Sequence, residues 1–335
     1  MKTDNGALRL GVIGCGGIAG GYGEEKGLHL LALEQLGVPV KTYCDIRLPA
    51  AQRRLAQFGG ERATTDPADI FRDPDIGAVL ICTRHDSHAP LAIAAAAAGK
   101  HVFVEKPLAL TEAECEAVVA AGRKHGVKIM VGFTKRSTPA LRALAPLRGR
   151  ARTIVVEAIE PAWGPEPFWG MDPLAGGGQV FMCGTHIADA LLWLADSEPV
   201  SIYASGGPVT PSGPTCLDKV HAVIEFANGT HGVFVSGDMG ASERLSKFSI
   251  QVYTGKGGAV ATNRWMDLDV TGIPGVESVH GGTENFGDAM RDFVDCIRHD
   301  RPSPIPPEDG LRATRLIVRM IESIRRRQPV PWVAA

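Results

Sequence analysis

Apolar residues recur in short runs through the first 132 residues, and stretches of helical periodicity separate these runs. The runs are LRLGVIG, VKTYC, AVLICT, HVFVE and VKIMVGF. The helical stretches are one ending near Leu36 and others over 49–58, 89–98 and 112–125. Strands that are apolar throughout are typical of a parallel sheet covered by helices on both faces. The pattern therefore predicts a doubly wound α/β domain.

The pattern changes after Phe133, where the predicted strands become longer. They are RTIVVEAIE, HAVIEFANGTHGVFVS, FSIQVYTG and RWMDLDVTG. Asn228 and Gly229 tolerate positive φ and lie between two apolar runs, so this segment predicts a β-hairpin. We expect an α+β domain with a large open, mostly antiparallel sheet, helices on one face including residues 179–195, and a last helix over 310–327.

The length of 335 residues exceeds what one hydrophobic core usually organises, so we expect two domains, 1–132 and 133–335. The formal net charge of -2 comes with no basic stripe, which argues against nucleic acid as a partner.

No stretch approaches the roughly 20 apolar residues of a membrane span, and MKTDNGALRL leads directly into the first strand without room for a leader. We therefore expect a cytoplasmic protein. The 7 cysteines are scattered without a CxxC pair, which predicts reduced core thiols and no metal site.

A glycine motif follows the first predicted strand and begins a helix: Gly14, Gly16 and Ala19 in GVIGCGGIAG fit the dinucleotide pattern G-x-G-x-x-A. Gly14 permits a tight turn, Gly16 lets the backbone approach a pyrophosphate, and Ala19 allows close helix packing. A glycine-rich loop of no special function is the alternative, which the βαβ context disfavours. The predicted cofactor contacts here are Gly14, Gly16, Gly17, Ile18 and Ala19.

Asp45 ends the second predicted strand, where its carboxylate can accept hydrogen bonds from the adenosine ribose and repel a 2′-phosphate. This favours NAD over NADP. Arg47 weakens the inference, because a guanidinium can accommodate a phosphate, and a simple turn residue is the alternative for Asp45. We predict that Asp45, Ile46 and Arg47 contact the cofactor.

Two polar segments follow predicted strands at the carboxyl edge of the parallel sheet, where open α/β folds bind ligands. After HVFVE, Lys106 can hydrogen-bond a substrate hydroxyl and stabilise the alkoxide as hydride leaves for the nicotinamide, although a solvated lysine is equally compatible. After AVLICT, Ser87 offers the alternative of a helix cap. The predicted cofactor or substrate contacts of these segments are Thr83, Arg84, His88, Glu105 and Lys106.

His186 and Asp189 share one helical face in GGGQVFMCGTHIADALLWL, after three glycines that allow close backbone approach. A histidine can accept the hydroxyl proton near neutral pH. A core or capping histidine is the alternative for His186.

Five segments occur in an order and spacing that resemble the Gfo/Idh/MocA oxidoreductases. They are GVIGCGGIA, CD after the second strand, HAPLAIAAAAAGKHVFVEKPLALT, MVGFTKR and GGGQVFMCGTHIAD. The final segment, from FGDAM to RRRQPV, also resembles the ending of these proteins, so the likeness covers essentially the whole chain.

The resemblance implies a Rossmann domain followed by a substrate-binding domain whose open sheet mediates assembly into a homodimer or homotetramer. It implies that Lys106 and His186 are the catalytic lysine and histidine, and that Pro107 lies in a turn that often has a cis peptide. Many dehydrogenases of the family carry an aspartate four residues before the histidine, where this chain has Met182. Methionine does not ionise, so an Asp-His relay cannot be carried over, and Lys106 or a water are alternative proton acceptors.

Further residues are candidates for the substrate side. In relatives, a basic pair matching Lys135 and Arg136 lies near cofactor or substrate; here Lys135 is predicted to contact the cofactor, with a solvated pair as the alternative. The aromatic loop before the His186 helix can cover a sugar face or serve ordinary packing. The predicted substrate contacts are Lys106, Arg136, Trp163, Trp169, Met182, Thr185 and His186.

Three functions remain open from the sequence. The first is NAD-dependent hydride transfer at a secondary hydroxyl or ketone of a sugar, polyol or derivative. The second is redox-neutral glycoside hydrolysis, in which bound NAD transiently oxidises the sugar. The third, a non-catalytic cofactor sensor, is disfavoured because both Lys106 and His186 are present.

Overall fold

The computed structural model describes residues 8–22, 26–160, 168–208, 216–237, 240, 247–282 and 286–333. Its contacts divide the chain into two compact units. The first comprises Met1–Ala109, Ala113–Gly132 and Asn285–Glu308, and the second comprises Leu110–Glu112, Phe133–Glu284 and Asp309–Ala335.

A parallel sheet forms the centre of the first unit. Its strands are β1 (Leu10–Ile13), β2 (Val40–Cys44), β3 (Arg62–Thr64), β4 (Ala78–Ile81), β5 (His101–Val104) and β6 (Ile129–Val131). The helices between them are α1 (Gly17–Gly20), α2 (Leu28–Gln35), α3 (Leu48–Phe58), α4 (Ala68–Phe71), α5 (His88–Ala97) and α6 (Glu112–His125). The strand order is β3-β2-β1-β4-β5-β6 with every neighbouring pair parallel, as in a Rossmann fold.

Burial in this sheet follows the apolar runs of the sequence. Every residue of β1 and of β4 is buried, as expected for strands covered on both faces. Helix α6 has the predicted bounds, and its last turn carries Arg123, Lys124 and His125, whose charges complement the negative end of the helix dipole.

Two features of the first unit differ from the predicted pattern. The predicted first helix is divided, because α1 ends at Gly20, where Gly21 has φ 99°, and α2 begins at Leu28. Strand β3 was not predicted, because its three residues are too short to show a hydrophobic period.

An eight-stranded sheet forms the centre of the second unit. Its strands are β7 (Thr153–Ile159), β8 (Pro199–Gly207), β9 (Lys219–Phe226), β10 (His231–Gly237), β11 (Phe248–Tyr253), β12 (Gly258–Thr262), β13 (Asp267–Thr271) and β14 (Val330–Pro331). The helices of this part are α7 (Pro139–Leu144), α8 (Gln179–Met182) and α9 (Gly184–Ala195). The strand order is β13-β12-β11-β7-β10-β9-β8-β14. Among the described strands of this sheet, β7 and β10 pair in parallel and all other neighbouring strands pair antiparallel.

The predicted hairpin joins β9 to β10, with Gly229 at φ 82° in its turn. Side chains of β9 alternate between buried and exposed, so one face of the sheet packs against the core, and helices α8 and α9 contact that part of the sheet. The helix predicted over 179–195 is interrupted at Cys183, where α8 ends and α9 begins. Strands β8 and β12 were not predicted, since glycines end the one and begin the other.

Two helices lie between β13 and β14 in the chain, α10 (Phe286–Arg298) and α11 (Pro307–Arg326). Helix α10 belongs to the first unit and not to the predicted range 133–335, because its Phe286 and Phe293 rings pack against His29 and Phe103. The chain therefore returns to its first unit after β13 and re-enters the second unit before its last strand, β14.

Among the described residues, no helix combines the length and the hydropathy needed to cross a membrane, and no cluster of three or more His, Cys, Asp or Glu side chains is arranged to hold a metal ion. All seven cysteines are buried free thiols.

Candidate active site

The glycine loop after β1 has the conformation that its sequence requires. Gly14 has φ +89°, and a Cβ at this position would lie 2.4 Å from the carbonyl oxygen of Cys82, so only glycine fits. Gly16 has no atom within 4 Å of its Cβ position. The loop therefore presents open backbone at the residue expected to face a pyrophosphate.

Asp45 lies beside this loop at the carboxyl end of β2. Its Oδ2 accepts a hydrogen bond from the Cys15 N–H at 2.8 Å, and its Oδ1 accepts one from the Arg47 N–H at 2.9 Å. A carboxylate has about four acceptor positions, so two bonds leave capacity for ribose hydroxyls. Ile46 and the Arg47 side chain are largely exposed next to it.

Arg54 is a buried residue that contacts this loop, and the sequence did not predict it. From α3, its guanidinium donates hydrogen bonds to the carbonyl oxygens of Cys15, Gly16, Gly20 and Gly21, at 3.2, 3.1, 3.0 and 2.6 Å. A cavity of about 130 Å³ adjoins it. Nothing in the local sequence distinguishes Arg54 from an exposed helical arginine, because its four carbonyl partners lie more than 30 residues away in the chain.

The segment after β5 carries Lys106. The Lys106–Pro107 peptide bond is cis, which confirms the expectation for this turn. Glu105 is buried, its Oε1 lies 2.6 Å from His29 Nε2, and its Oε2 accepts a hydrogen bond from the Lys106 N–H at 3.2 Å. His29 was also missed, because 76 residues separate it from Glu105.

His88 does not have the exposed position that a cofactor contact requires. The side chain is fully buried, with Nδ1 2.7 Å from the Pro107 carbonyl oxygen and Nε2 3.2 Å from that of Thr83. Burial lowers the pKa of His88 and outweighs its hydrogen bonds. We therefore reassign His88 from cofactor contact to support of the turn at Pro107.

The other residues after β4 keep their position at the sheet edge. Arg84 is exposed and Thr83 is half-buried. Ser87 does not cap α5 with its side chain; its hydroxyl instead donates to the Arg84 carbonyl oxygen at 2.8 Å.

In the second unit, His186 lies in the first turns of α9. Its ring is largely buried and makes edge contacts with Phe133 and Phe248, with centroid distances of 6.3 and 6.2 Å. The preceding glycines pack against the protein itself, since a Cβ on Gly176 would lie 2.3 Å from the Gly170 carbonyl oxygen. They thus fix the chain that leads to His186.

Met182 and Thr185, which are close to His186 in sequence, are both buried. The Met182 sulfur lies 3.0 Å from the Cβ position of Gly170, so Met182 fills apolar space where many relatives have an aspartate. Thr185 is fully inaccessible, and its hydroxyl has no partner among the described residues. Because Thr185 is inaccessible, the structure does not support the predicted substrate contact at this residue.

The basic pair after β6 separates into two environments. Lys135 is buried with its Nζ 5.0 Å from the Phe248 ring centroid. Arg136 instead forms ion pairs with Asp189 and Asp309, the latter at 2.8 Å. Burial alone would lower the pKa of Arg136, but the two carboxylates raise it. We correct its assignment from substrate contact to buried ion pair, which also occupies Asp189.

The aromatic loop is described in part. Trp169 is half-buried, and its ring packs on Phe168 with centroids 5.6 Å apart. Trp163, also predicted to contact substrate, lies outside the described residues.

The Rossmann sheet, the open glycine loop and Asp45 together define a nicotinamide-dependent oxidoreductase. The family described as "Oxidoreductase family, NAD-binding Rossmann fold" matches residues 8–133, and the GFO/IDH/MocA C-terminal domain matches residues 149–260. The chain therefore belongs to the GFO/IDH/MocA family of NAD-binding oxidoreductases, as its motifs predicted.

Similar proteins cover nearly the whole chain. It is 28% identical over 327 residues to "Uncharacterized oxidoreductase YrbE" of Bacillus subtilis, covering 92% of this chain and 94% of that protein. It is 25% identical over 345 residues to the myo-inositol 2-dehydrogenase of Thermotoga maritima, covering 96% and 98%. A solved levoglucosan dehydrogenase in complex with NADH and levoglucosan has 24% identity and a TM-score of 0.86, covering 98% and 100%. The structural likeness confirms the predicted fold.

Proposed function

We propose that this protein is an NAD-dependent dehydrogenase that transfers a hydride between the cofactor and a secondary hydroxyl or ketone of a sugar, polyol or related compound. The observation that carries the proposal is Lys106, which follows β5 at the carboxyl edge of an NAD-binding sheet. Relatives named for inositol and levoglucosan oxidation support this class of substrate.

The residues of the first unit fit the cofactor. The open backbone at Gly16 can accept a pyrophosphate, and Asp45 can accept hydrogen bonds from the ribose while it repels a 2′-phosphate. When bound, NAD supplies the hydride acceptor. Thr83, Arg84, Glu105 and Lys135 stay predicted contacts of the cofactor.

Two side chains carry the proposed proton and charge chemistry. Lys106 donates a hydrogen bond to the reacting hydroxyl and stabilises negative charge on its oxygen. His186 accepts the hydroxyl proton. Met182 cannot orient His186 as a carboxylate would, and the rings of Phe133 and Phe248 pack against the imidazole.

The test follows NADH absorbance when the protein and NAD are mixed with myo-inositol, levoglucosan, aldoses, sugar acids and aryl glycosides, with aglycone release recorded in parallel. We expect NADH to accumulate with at least one of the first four classes. Lys106→Ala and His186→Ala should each lower kcat/KM about 100-fold or more, whereas Lys124→Ala, at an exposed position of α6, should not. Aglycone release without net NADH would replace this proposal with redox-neutral glycoside hydrolysis.

The second unit also offers a surface for self-association. On one face of its sheet, Tyr203 pairs with Val223, Val223 with Val233, and Val233 with Val155, which forms an apolar row across β8, β9, β10 and β7. Tyr203 and Val223 are each 48% exposed. We propose that a second copy of the chain covers this face, and we retain the cytoplasmic location as a prediction.

A further inference from the structure

In the first unit, the residue directly before Lys106 is the buried Glu105, and its carboxylate contacts a buried histidine, His29. The His29 side chain is 0% exposed and that of Glu105 6% exposed, with 2.6 Å between Nε2 and Oε1. The distance is that of a strong, charge-assisted hydrogen bond. The proposed proton transfer does not use this pair, and His29 is not among the predicted cofactor contacts, although Glu105 is.

The surroundings of His29 fix the direction of this hydrogen bond. Phe103 and Phe286 pack edge-on against the imidazole, with ring centroids 5.1 and 4.9 Å away. The other nitrogen, Nδ1, is buried without a partner among the described residues. A proton on Nδ1 would be buried without an acceptor, so the ring carries its proton on Nε2 and donates it to Glu105.

Glu105 needs this donor to remain ionised. Burial alone would raise the pKa of its carboxyl group, but the His29 hydrogen bond and nearby positive charge outweigh burial and lower that pKa. The groups that influence Glu105 include Lys106 and His88, and the Cys82 thiol lies within its electrostatic influence. An uncompensated buried carboxylate would be costly, so His29 decides the state of Glu105.

The glutamate in turn holds the backbone at Lys106. Its Oε2 accepts the Lys106 N–H at 3.2 Å, and its own N–H donates to the Ile81 carbonyl oxygen at 2.9 Å. A Cβ on Gly132 would lie 3.0 Å from Oε1, which shows how closely β6 confines the carboxylate. Beyond Lys106, the Pro107 carbonyl oxygen contacts His88. The turn is therefore held on both sides.

We infer that His29 is a positioning residue for Lys106, because it orients the Glu105 carboxylate that fixes the Lys106 backbone. The inference rests on the proposed role of Lys106 at the substrate hydroxyl. A small displacement of a catalytic group lowers kcat strongly, about 100-fold for an ångström, even when the substituted residue does not touch the substrate.

The experiment compares His29→Leu, which removes the donor, with His29→Gln, whose amide nitrogen can reach the position of Nε2. Leu33→Ala is the matched control, since Leu33 is a fully buried residue of the same helix α2. Hydrogen exchange at the Lys106 amide is measured by mass spectrometry of the NAD-bound proteins, and it needs no substrate. Steady-state kinetics then use the compound that gives NADH in the panel above.

We expect His29→Leu to accelerate exchange at the Lys106 amide about tenfold or more, and to lower kcat about tenfold or more with little change in the KM for NAD. His29→Gln should restore most of both, and Leu33→Ala should leave the local exchange near that of the native protein. If His29→Leu does not fold, His29→Asn replaces it, because its shorter amide does not reach Glu105.

Exchange at Lys106 that is unchanged in His29→Leu, or equally fast in Leu33→Ala, would overturn the inference. So would a His29→Gln variant no better than His29→Asn. Failure of the proposed role of Lys106 looks different. In that case Lys106→Ala would retain activity, whatever the exchange rate of the Lys106 amide in the His29 variants.

Discussion

Arg136 and Asp189 show how burial changes the meaning of charged residues that look functional in the sequence. Asp309 shares the Arg136 guanidinium, so two carboxylates neutralise one cation. Burial and the neighbouring Asp309 raise the pKa of Asp189 to about 6, although Arg136 opposes the shift. The sequence spacing predicted that Asp189 shares one helical face with His186. In the structure the Asp189 carboxylate instead pairs with Arg136.

This pKa predicts a pH-dependent contribution to stability. Because the folded pKa lies above the ordinary value, the folded protein binds this proton more tightly than the unfolded chain does. The contribution is present at low pH and is lost as pH rises towards about 6, by roughly 3 kcal/mol at most. Urea unfolding from about pH 4 to 8 should show native stability falling relative to that of Asp189→Asn. A constant difference between the two proteins would refute this assignment.

Helix α3 acts on the glycine loop through one side chain. Arg54 is 2% exposed and donates to four carbonyl oxygens of the chain segment around α1. Hydrogen bonds to a charged donor contribute more than neutral ones, so these contacts order a segment that its glycines leave intrinsically mobile. Gln52, two positions earlier on α3, is exposed and does not line the cavity beside the loop.

We therefore expect Arg54→Met to weaken NAD binding about tenfold or more, because the loop carbonyls lose their donors and the loop loses its conformation. Gln52→Met, at an exposed position of the same helix α3, should bind NAD as the native protein does. Titration of tryptophan fluorescence with NADH measures both. Equal affinity in the two variants would show that the loop orders itself without Arg54.

The sequence predicted most elements of the first unit because each has a complete local signal. The apolar run of β2 and the amphipathic pattern of α6 give their observed bounds. Short or glycine-bounded strands such as β3 and β12 lack that signal and depend on pairing with neighbours. The break at Cys183, where α8 ends and α9 begins, was likewise not predicted.

At the site, the motifs identified groups but not their partners. Gly14 and the Lys106–Pro107 turn have the predicted conformations, because both depend on local backbone chemistry. His29, Arg54 and the pairing of Arg136 depend on contacts between residues distant in sequence, which a single sequence does not reveal.

The exposed face of the eight-stranded sheet is the feature that bears on the whole molecule. Val and Tyr side chains occur on it in cross-strand register from β8 to β7, exposed at Tyr203 and Val223 and half-buried at Val233 and Val155. Apolar residues in such a row lower the free energy of the chain when a second surface covers them.

Val223→Lys places a charge in the centre of this row and should shift the protein from oligomer towards monomer. Leu174→Lys, at a residue 83% exposed and outside the sheet, should not. Light scattering after size-exclusion chromatography at several concentrations measures both. A native protein that is monomeric at every concentration would contradict the proposed assembly.

The return of α10 to the first unit has a consequence for biosynthesis. A ribosome delivers β1 to β6 long before Phe286 and Phe293, yet these rings complete the cluster around His29 and Phe103. Part of the core of the first unit therefore stays unpacked while the second unit is translated. Its final closure, including the packing of His29, requires that Phe286 and Phe293 have been synthesised.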